Sequence, residues 1–172
     1  DRDLMAHSLK DLYPHRVEID TWYHKHRVIV LSRTPLTVAP LGVSEFSVIT
    51  SASIHIVPVH LHSFSAAKRL EQVKVLQKEL ASFSISKICV LGDMNMWDLW
   101  GKNRFVFSND RIAYNLLSEH FTDCTKSIGS TTKVGLGLDK IFISSDLSCI
   151  SKACIRGSAK YMDHYLVFVD IK

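Results

Sequence analysis

No C-x-x-C spacing occurs among Cys89, Cys124, Cys149 and Cys154, the four cysteines of the chain. Cys89 lies inside the apolar run Ile88-Cys89-Val90-Leu91, which reads as a buried free thiol rather than part of a disulfide scaffold. A reducing, cytoplasmic setting is the corresponding expectation. No stretch approaches eighteen consecutive apolar residues, and the chain opens on Asp1-Arg2-Asp3, so the sequence predicts neither a transmembrane span nor a signal peptide. Ser, Gln or Pro tracts are missing, and with 7 glycines and 4 prolines there is no compositional case for a linker or tail. Runs of five or six Lys or Arg are missing too. The net charge of +4 therefore favours polyanionic partners without marking an electrostatic arm.

What is present is apolar material in quantity: 47% of 172 residues are hydrophobic, enough for one domain over 1–172 with a sizeable core. Leu4, Met5, Leu9, Leu12 and Tyr13 share a helical face that Pro14 ends. Val17 to Trp22 and Arg27 to Leu31 are strand-like, with His24-Lys25 as a hairpin turn; residues 34–50 read as extended, and Ser53 to His60 as a further strand. Ala66 to Phe83 is the best amphipathic helix, and Ile88 to Leu91 a short buried strand. A second helix is predicted from Asp110 to about Glu119, with Ser108 and Asn109 as cap candidates. Three strands follow, Leu138 to Ile143, Cys149 to Ile155 and Tyr165 to Ile171. Hairpins mixed with strand-helix-strand crossovers predict an α+β or α/β arrangement with helices outside sheets, and there is no internal repeat.

Three places carry chemistry. Leu91-Gly92-Asp93-Met94-Asn95 stands where a buried strand runs into a loop, a position that holds polar groups rigidly at a solvent edge. Asp93 and Asn95 project to one side if the strand continues through them. A carboxylate beside a neutral amide suits phosphoryl chemistry, since the acid attracts a metal or a water and the amide donates to phosphate without repulsion; an Asp/Asn turn is the plain alternative. Asp163-His164 precedes the last strand, and Asp139 opens Ile141-Phe142-Ile143. The imidazole trades protons near neutrality, and Asp139 is a candidate to orient it, although a loop-strand Asp-His pair is commonly a surface feature. His60 and His62, alternating at the end of a strand, would share a face and either suits phosphate contact or general-acid work. No further His or Cys follows at ligand spacing to make them a zinc site.

The order of these pieces resembles the endonuclease/exonuclease/phosphatase (DNase-I-like) superfamily. Val28-Ile29-Val30-Leu31-Ser32-Arg33-Thr34-Pro35-Leu36 is similar to its Ser-Arg-x-Pro strand, and Val59-His60-Leu61-His62-Ser63 to its His-Leu-containing strand. Arg69 and Gln72 match an R..Q pair in the helix that follows. Leu91 to Asn95 resembles its Gly-Asp-x-Asn, Leu138-Asp139-Lys140-Ile141-Phe142-Ile143-Ser144 its Asp-Tyr-Ile strand, and Met162-Asp163-His164-Tyr165-Leu166-Val167 its closing Ser-Asp-His-x-Pro. The resemblance implies a four-layer α/β/β/α sandwich of two packed mixed sheets with outer helices, and an active site at one end. It further implies that Asp93 holds a metal or the attacking water, that Asn95 positions the scissile phosphate, and that His164, oriented by Asp139, is the catalytic histidine. Asp163 contributes to the metal site on this basis, and one of His60 and His62 takes the phosphate-contacting place. Mg²⁺, or Mn²⁺, is the implied cofactor. The implied substrate is a phosphate ester, whether nucleic acid, inositol phosphate or phospholipid headgroup.

The departures are as specific. Family members open with a strand bearing Asn and a second ending in Gln-Glu, whose Glu is the principal metal ligand; neither precedes Ser32-Arg33-Thr34-Pro35 here. Glu18 and Glu45 do not follow a strand in the required order. A fold lacking those two strands would expose apolar edges, so an N-terminal segment that completes it is an expected partner. Met162 and Leu166 replace the usual Ser and Pro while sparing the Asp-His pair. The leading expectation is a Mg²⁺-dependent phosphoesterase or nuclease in which water attacks phosphorus. The alternative is a catalytically silent phosphate- or protein-binding module of the same fold that has lost its metal-binding Glu. A calcineurin-like dinuclear phosphoesterase would need a later Gly-Asn-His-Asp/Glu segment, which does not occur. Trp97 and Trp100 are candidates for base stacking or for anchoring their loop. Lys102, Arg104 and Arg111 are candidates for phosphate contact or a solvated face.

Overall fold

A computed structural model describes residues 8–20, 27–41, 46–83, 86–155 and 162–172. Leu4 and Met5 of the expected first helix, Trp22, the His24-Lys25 turn and Glu45 lie outside the described residues. In chain order the elements are β1 (His15–Asp20), β2 (Arg27–Ser32), β3 (Leu36–Pro40), β4 (Ser47–Ser51), β5 (Ile54–His60), α1 (Ala66–Ser82), β6 (Ile88–Asp93), α2 (Ser108–Ser118), β7 (Phe121–Asp123), β8 (Asp139–Ser144), β9 (Cys149–Ile155) and β10 (Leu166–Ile171).

Six strands form one mixed sheet in the order β3-β4-β5-β6-β8-β7. Only β5 and β6 run parallel, and α1 is the crossover that such a pair requires. The two faces of the sheet follow from strand alternation. Val57, Val59, Val90 and Phe142 point to one side, where they pack with Val73, Leu76 and Leu80 of α1 and Ala113, Tyr114 and Leu117 of α2. Cys89, Leu91, Ile141 and Ile143 point to the other, where Cys124, Leu147, Cys149, Val169 and Ile171 meet them. The antiparallel β9–β10 ribbon thus covers the sheet face opposite the helices, while the second ribbon, β1–β2, pairs in register from His15–Ser32 to Asp20–Arg27.

The fold is α+β. Among the described residues the strands outside the six-stranded sheet form two separate two-stranded ribbons, and both helices lie on the same side of that sheet. The region 34–50 resolves into β3 and β4, and β7, a three-residue strand too short to show a period, was not foreseen. The entry of α2 also corrects an expectation. Ser108 and Asn109 fall within its first turn, the N-cap position is Phe107, and no side chain caps it. Packing fixes the entry instead, with the Phe107 ring 5.5 Å from that of Trp97. By contrast α1 is capped by Ser65, whose side chain accepts from the Lys68 N–H at 3.3 Å.

Candidate active site

Strand register brings the chemistry-bearing residues together. His60 is the register partner of Asp93 across the parallel β5–β6 pair, and Asp93 is the partner of Asp139 across the antiparallel β6–β8 pair. Three adjacent strands therefore carry His60, Asp93 and Asp139 in one row at one end of the sheet. Close approach of β5 and β6 depends on Gly92. Its φ is +139°, and a Cβ there would lie 2.0 Å from the Val59 carbonyl oxygen. His164 joins the row from the segment before β10: an isolated bridge pairs it with Thr132, and its Nδ1 is 2.9 Å from Asp139 Oδ2.

Thr131 ties this corner. Its buried Oγ1 accepts from the N–H groups of Leu138 and Asp139 at 3.0 and 3.1 Å, and its carbonyl accepts from the Tyr165 N–H at 2.8 Å. One residue thus fixes both the start of β8 and the residue after His164. Nothing in the spacing singled it out, because a threonine in Ser130-Thr131-Thr132 looks like an ordinary loop residue.

The free oxygen of the site belongs to Asp93. Its Oδ1 accepts the Asn95 N–H at 2.8 Å, while Oδ2 lies 3.8 Å from His60 Nε2 and 3.8 Å from His164 Nε2. Those separations are too long for direct hydrogen bonds and suit a shared water or phosphate oxygen. Burial and the neighbouring Asp139 charge raise the Asp93 carboxyl above its usual range, opposed by the Asn95 N–H and the two histidines. His164 is raised to about 9, chiefly by its hydrogen bond to Asp139, with the charges of Asp139, Asp93 and Asp163 adding and burial opposing. At pH 7 it is an imidazolium aimed across the row.

Two expectations about shared faces need correction. β6 ends at Asp93 and Asn95 has φ +49°, so Asn95 does not continue the strand beside Asp93. The buried Asn95 amide turns back, its Nδ2 donating to the Leu61 carbonyl at 3.0 Å. β5 likewise ends at His60, and His62 is buried in the loop beyond. Its Nδ1 accepts from the N–H groups of Phe64 and Ser65 at 3.1 and 3.2 Å, and burial, then the charges of Lys68 and Arg69, lowers its pKa. A histidine so engaged holds a loop, whereas His60 faces the row. Asp163 is exposed, and its carbonyl accepts from the Lys133 N–H at 3.0 Å.

The loops around the row hang on two buried ion pairs. Arg69 of α1 meets Asp110 of α2 at 2.7 and 2.8 Å and also donates to the carbonyls of His62 and Ser63, while Asp110 accepts the Trp97 N–H. Lys140 Nζ donates to Asp98 Oδ2 at 2.8 Å, and Asp98 Oδ1 accepts the Arg104 N–H. Neither Asp98 nor Lys140 was singled out from the sequence. The available signal was a lysine two residues from Phe142 in an otherwise apolar strand, hence on the same inward face.

The donor set is of the kind a hard cation takes in part. Mg²⁺ is commonly held by one or two carboxylates, with water and phosphate oxygens completing the shell; Asp93 Oδ2 supplies one such oxygen. Among the described residues no group of three or more His, Cys, Asp or Glu is placed to hold an ion by itself.

An acid-histidine row thus lies at the strand ends of a mixed sheet with both described helices on one face, and solved structures share this fold. The chain matches the 3'-5' exonuclease NExo from Neisseria meningitidis with a TM-score of 0.69 at 16% identity, over 99% of this chain and 84% of that one. It matches a Neisseria NExo 3' phosphatase bound to a product DNA hairpin with a TM-score of 0.65 at 15% identity, over 85% and 75%. An AP endonuclease from Archaeoglobus fulgidus gives 0.66 at 18%, over 84% and 74%. The fold is that of the endonuclease/exonuclease/phosphatase (DNase-I-like) proteins. No protein-family model and no curated protein sequence matches the chain. No described helix is long and apolar enough to cross a membrane.

Proposed function

We propose that this chain is a metal-dependent phosphoesterase that hydrolyses a phosphate ester by direct attack of water. The observation that carries the reading is the row itself: His60, Asp93 and Asp139 in register on three strands, closed by His164 on Asp139. His164, held cationic, meets the negative oxygens of the phosphate and donates from Nε2 as charge develops. Asp139 fixes the ring so that Nε2 is the free nitrogen. His60 is a second imidazole facing the phosphate. Asp93 Oδ2, between the two rings, orients the attacking water, and Asn95 sets the Asp93 carboxylate through its N–H.

Mg²⁺, or Mn²⁺ in its place, would be held by Asp93 with phosphate oxygens and water, Asp163 being the further acid near His164; when bound it neutralises phosphate charge and lowers the pKa of coordinated water. The structural relatives named as nucleases and a phosphatase support phosphate-ester chemistry at this fold.

The test is hydrolysis of bis(p-nitrophenyl) phosphate with Mg²⁺ or Mn²⁺ by the full chain and by Asp93→Ala and His164→Ala. Turnover lost in both variants is expected. Phosphate binding without turnover in the unaltered chain would replace the enzyme with a binding module of the same fold.

A further inference from the structure

Three of the four thiols gather on the sheet face away from the helices. Cys89 and Cys124 are buried with Ile143 and Leu147, and Cys149, half-buried, packs against them. They arrive from three separate elements. Cys89 sits on β6 opposite Ile143 of β8, and Cys149 opens β9 opposite Ile171. Cys124 follows β7, its N–H donating to the Ile141 carbonyl at 2.8 Å. Of the three, Cys124 and Cys149 are joined by a hydrogen bond between their thiols, while Cys89 acts on Cys124 only through charge. The Cys149 thiol also donates to the Ser151 carbonyl at 3.6 Å, which leaves its sulfur to accept from Cys124. Among the described residues no three such groups are arranged to hold an ion, so the cluster does not have the form of a soft-metal site.

The two joined thiols differ as the members of a redox pair do. Cys149 is partly open to solvent, whereas Cys124 is 1% exposed. Burial first, then the hydrogen bond to Cys149 and the neighbouring charges, pushes the Cys124 thiol up to about 12. Only Cys149 can meet a dissolved oxidant, and Cys124 keeps its proton until a reactive sulfur forms beside it. Both neighbourhoods are ordered. Asp123 accepts from the Tyr114 hydroxyl and the Thr125 N–H, and Ser148 and Lys172 exchange N–H to carbonyl bonds at 2.9 and 3.0 Å. The sulfurs thus start in contact, and bond formation draws them to about 2.05 Å.

We infer that Cys124 and Cys149 are a reversible dithiol/disulfide pair, oxidised by a hydroperoxide, that staples the turn after β7 to the start of β9. The Cys149 thiolate attacks one peroxide oxygen, the O–O bond breaks, and the departing oxygen takes up the proton that Cys149 gave up. Cys124 then attacks the sulfenic sulfur of Cys149. An S–S bond forms, the S–O bond breaks, and the Cys124 proton leaves with the hydroxyl as water. The two thiols lose two electrons in all, and the peroxide is reduced by them. The loop so closed contains Thr131 and Asp139, so the staple restrains the segment that sets the His164 corner from the far side of the sheet. It does so whatever ester, or none, the row acts on.

The experiment is a thiol count and a non-reducing peptide map on the full chain, reduced first and then exposed to hydrogen peroxide. The count should fall from four to two, with one peptide pair joined through Cys124 and Cys149 and both thiols restored by dithiothreitol. The oxidised form should melt about 5 °C or more above the reduced one, because the crosslink restricts the unfolded chain. Cys149→Ser should leave Cys124 reduced and abolish the shift, while Cys89→Ala should keep both the crosslink and the shift. A count that stays at four, or oxidation of Cys149 that ends in a sulfinic or sulfonic acid, would overturn the proposal. So would crosslinks made only between copies or through Cys89 or Cys154, or a melting temperature that falls on oxidation, since the pair would then join only in a distorted fold.

Discussion

Arg69 and Asp110, on different helices, meet through two parallel hydrogen bonds of 2.7 and 2.8 Å while both side chains are shut off from water. Removing one partner leaves a buried charge alone, so Asp110→Ala is expected to cost about 3–5 kcal/mol, measured by urea denaturation. Arg69→Met/Asp110→Leu should recover only part of that. The carbonyls of His62 and Ser63 and the Trp97 N–H, which the pair now satisfies, would still lack partners. Full recovery would show that the pair does not organise these loops.

The same logic applied to His164 gives a titration. Its folded pKa, about 9, lies above the usual 6.5, so the pair with Asp139 adds stability that is complete below pH 6.5 and is lost as pH rises through about 9. Asp139→Asn should bring the His164 pKa down towards 6.5 by NMR of the cation-free protein and, with Mg²⁺ present, cut turnover at least tenfold. A His164 pKa that stays near 9 in the variant would mean that Asp139 is not the cause.

His62 works in the opposite direction. Its folded pKa is depressed, so the unfolded chain takes up a proton that the folded one refuses, and stability falls as pH drops below 6.5. His62→Asn, whose carbonyl can still accept from Phe64 and Ser65, should flatten that dependence in melts between pH 7 and 5 and leave turnover near the unaltered value. His60→Ala should lower turnover with little change in melting. Reversed results would move the phosphate-facing role to His62.

What the sequence made legible and what it hid have a common cause. Asp93, Asp139 and His164 were legible because each adjoins an apolar strand, and strands hold register over long gaps in sequence; the row then follows from pairing. Asn95 and His62 were misplaced because alternation was carried one or two residues past the strand ends, where a left-handed turn at Asn95 and the loop after His60 rotate the side chains away. Asp98, Asp110 and Lys140 were invisible as partners because a buried ion pair between distant residues has no local pattern. Phe107 took the cap position from Ser108 because ring packing on Trp97 outweighed a hydroxyl cap.

Gly92 is the residue on which the His60–Asp93 spacing turns. Gly92→Ala adds a methyl 2.0 Å from a backbone oxygen of β5 and forces an L-residue to φ +139°. The conformational cost alone is about 1–3 kcal/mol, and the clash can be relieved only by parting the strands. The expected result is a lower melting temperature together with a fall in kcat, since both side chains move. Loss of stability with unchanged kcat would separate strand spacing from chemistry.

Thr131 tests whether the Asp139–His164 corner is set from outside. Its hydroxyl oxygen is the acceptor for two N–H groups at the start of β8, and valine offers the same shape without it. Thr131→Val leaves the Leu138 and Asp139 N–H groups unpaired, at about 1–3 kcal/mol each if no water replaces the oxygen. Thr131→Ser keeps the acceptor. If Thr131 positions the corner, the valine variant should lower kcat more than it raises KM and shift the His164 titration downwards, with serine restoring both. Were valine only to lower the melting temperature, Thr131 would be a structural residue and Asp139 would hold His164 unaided.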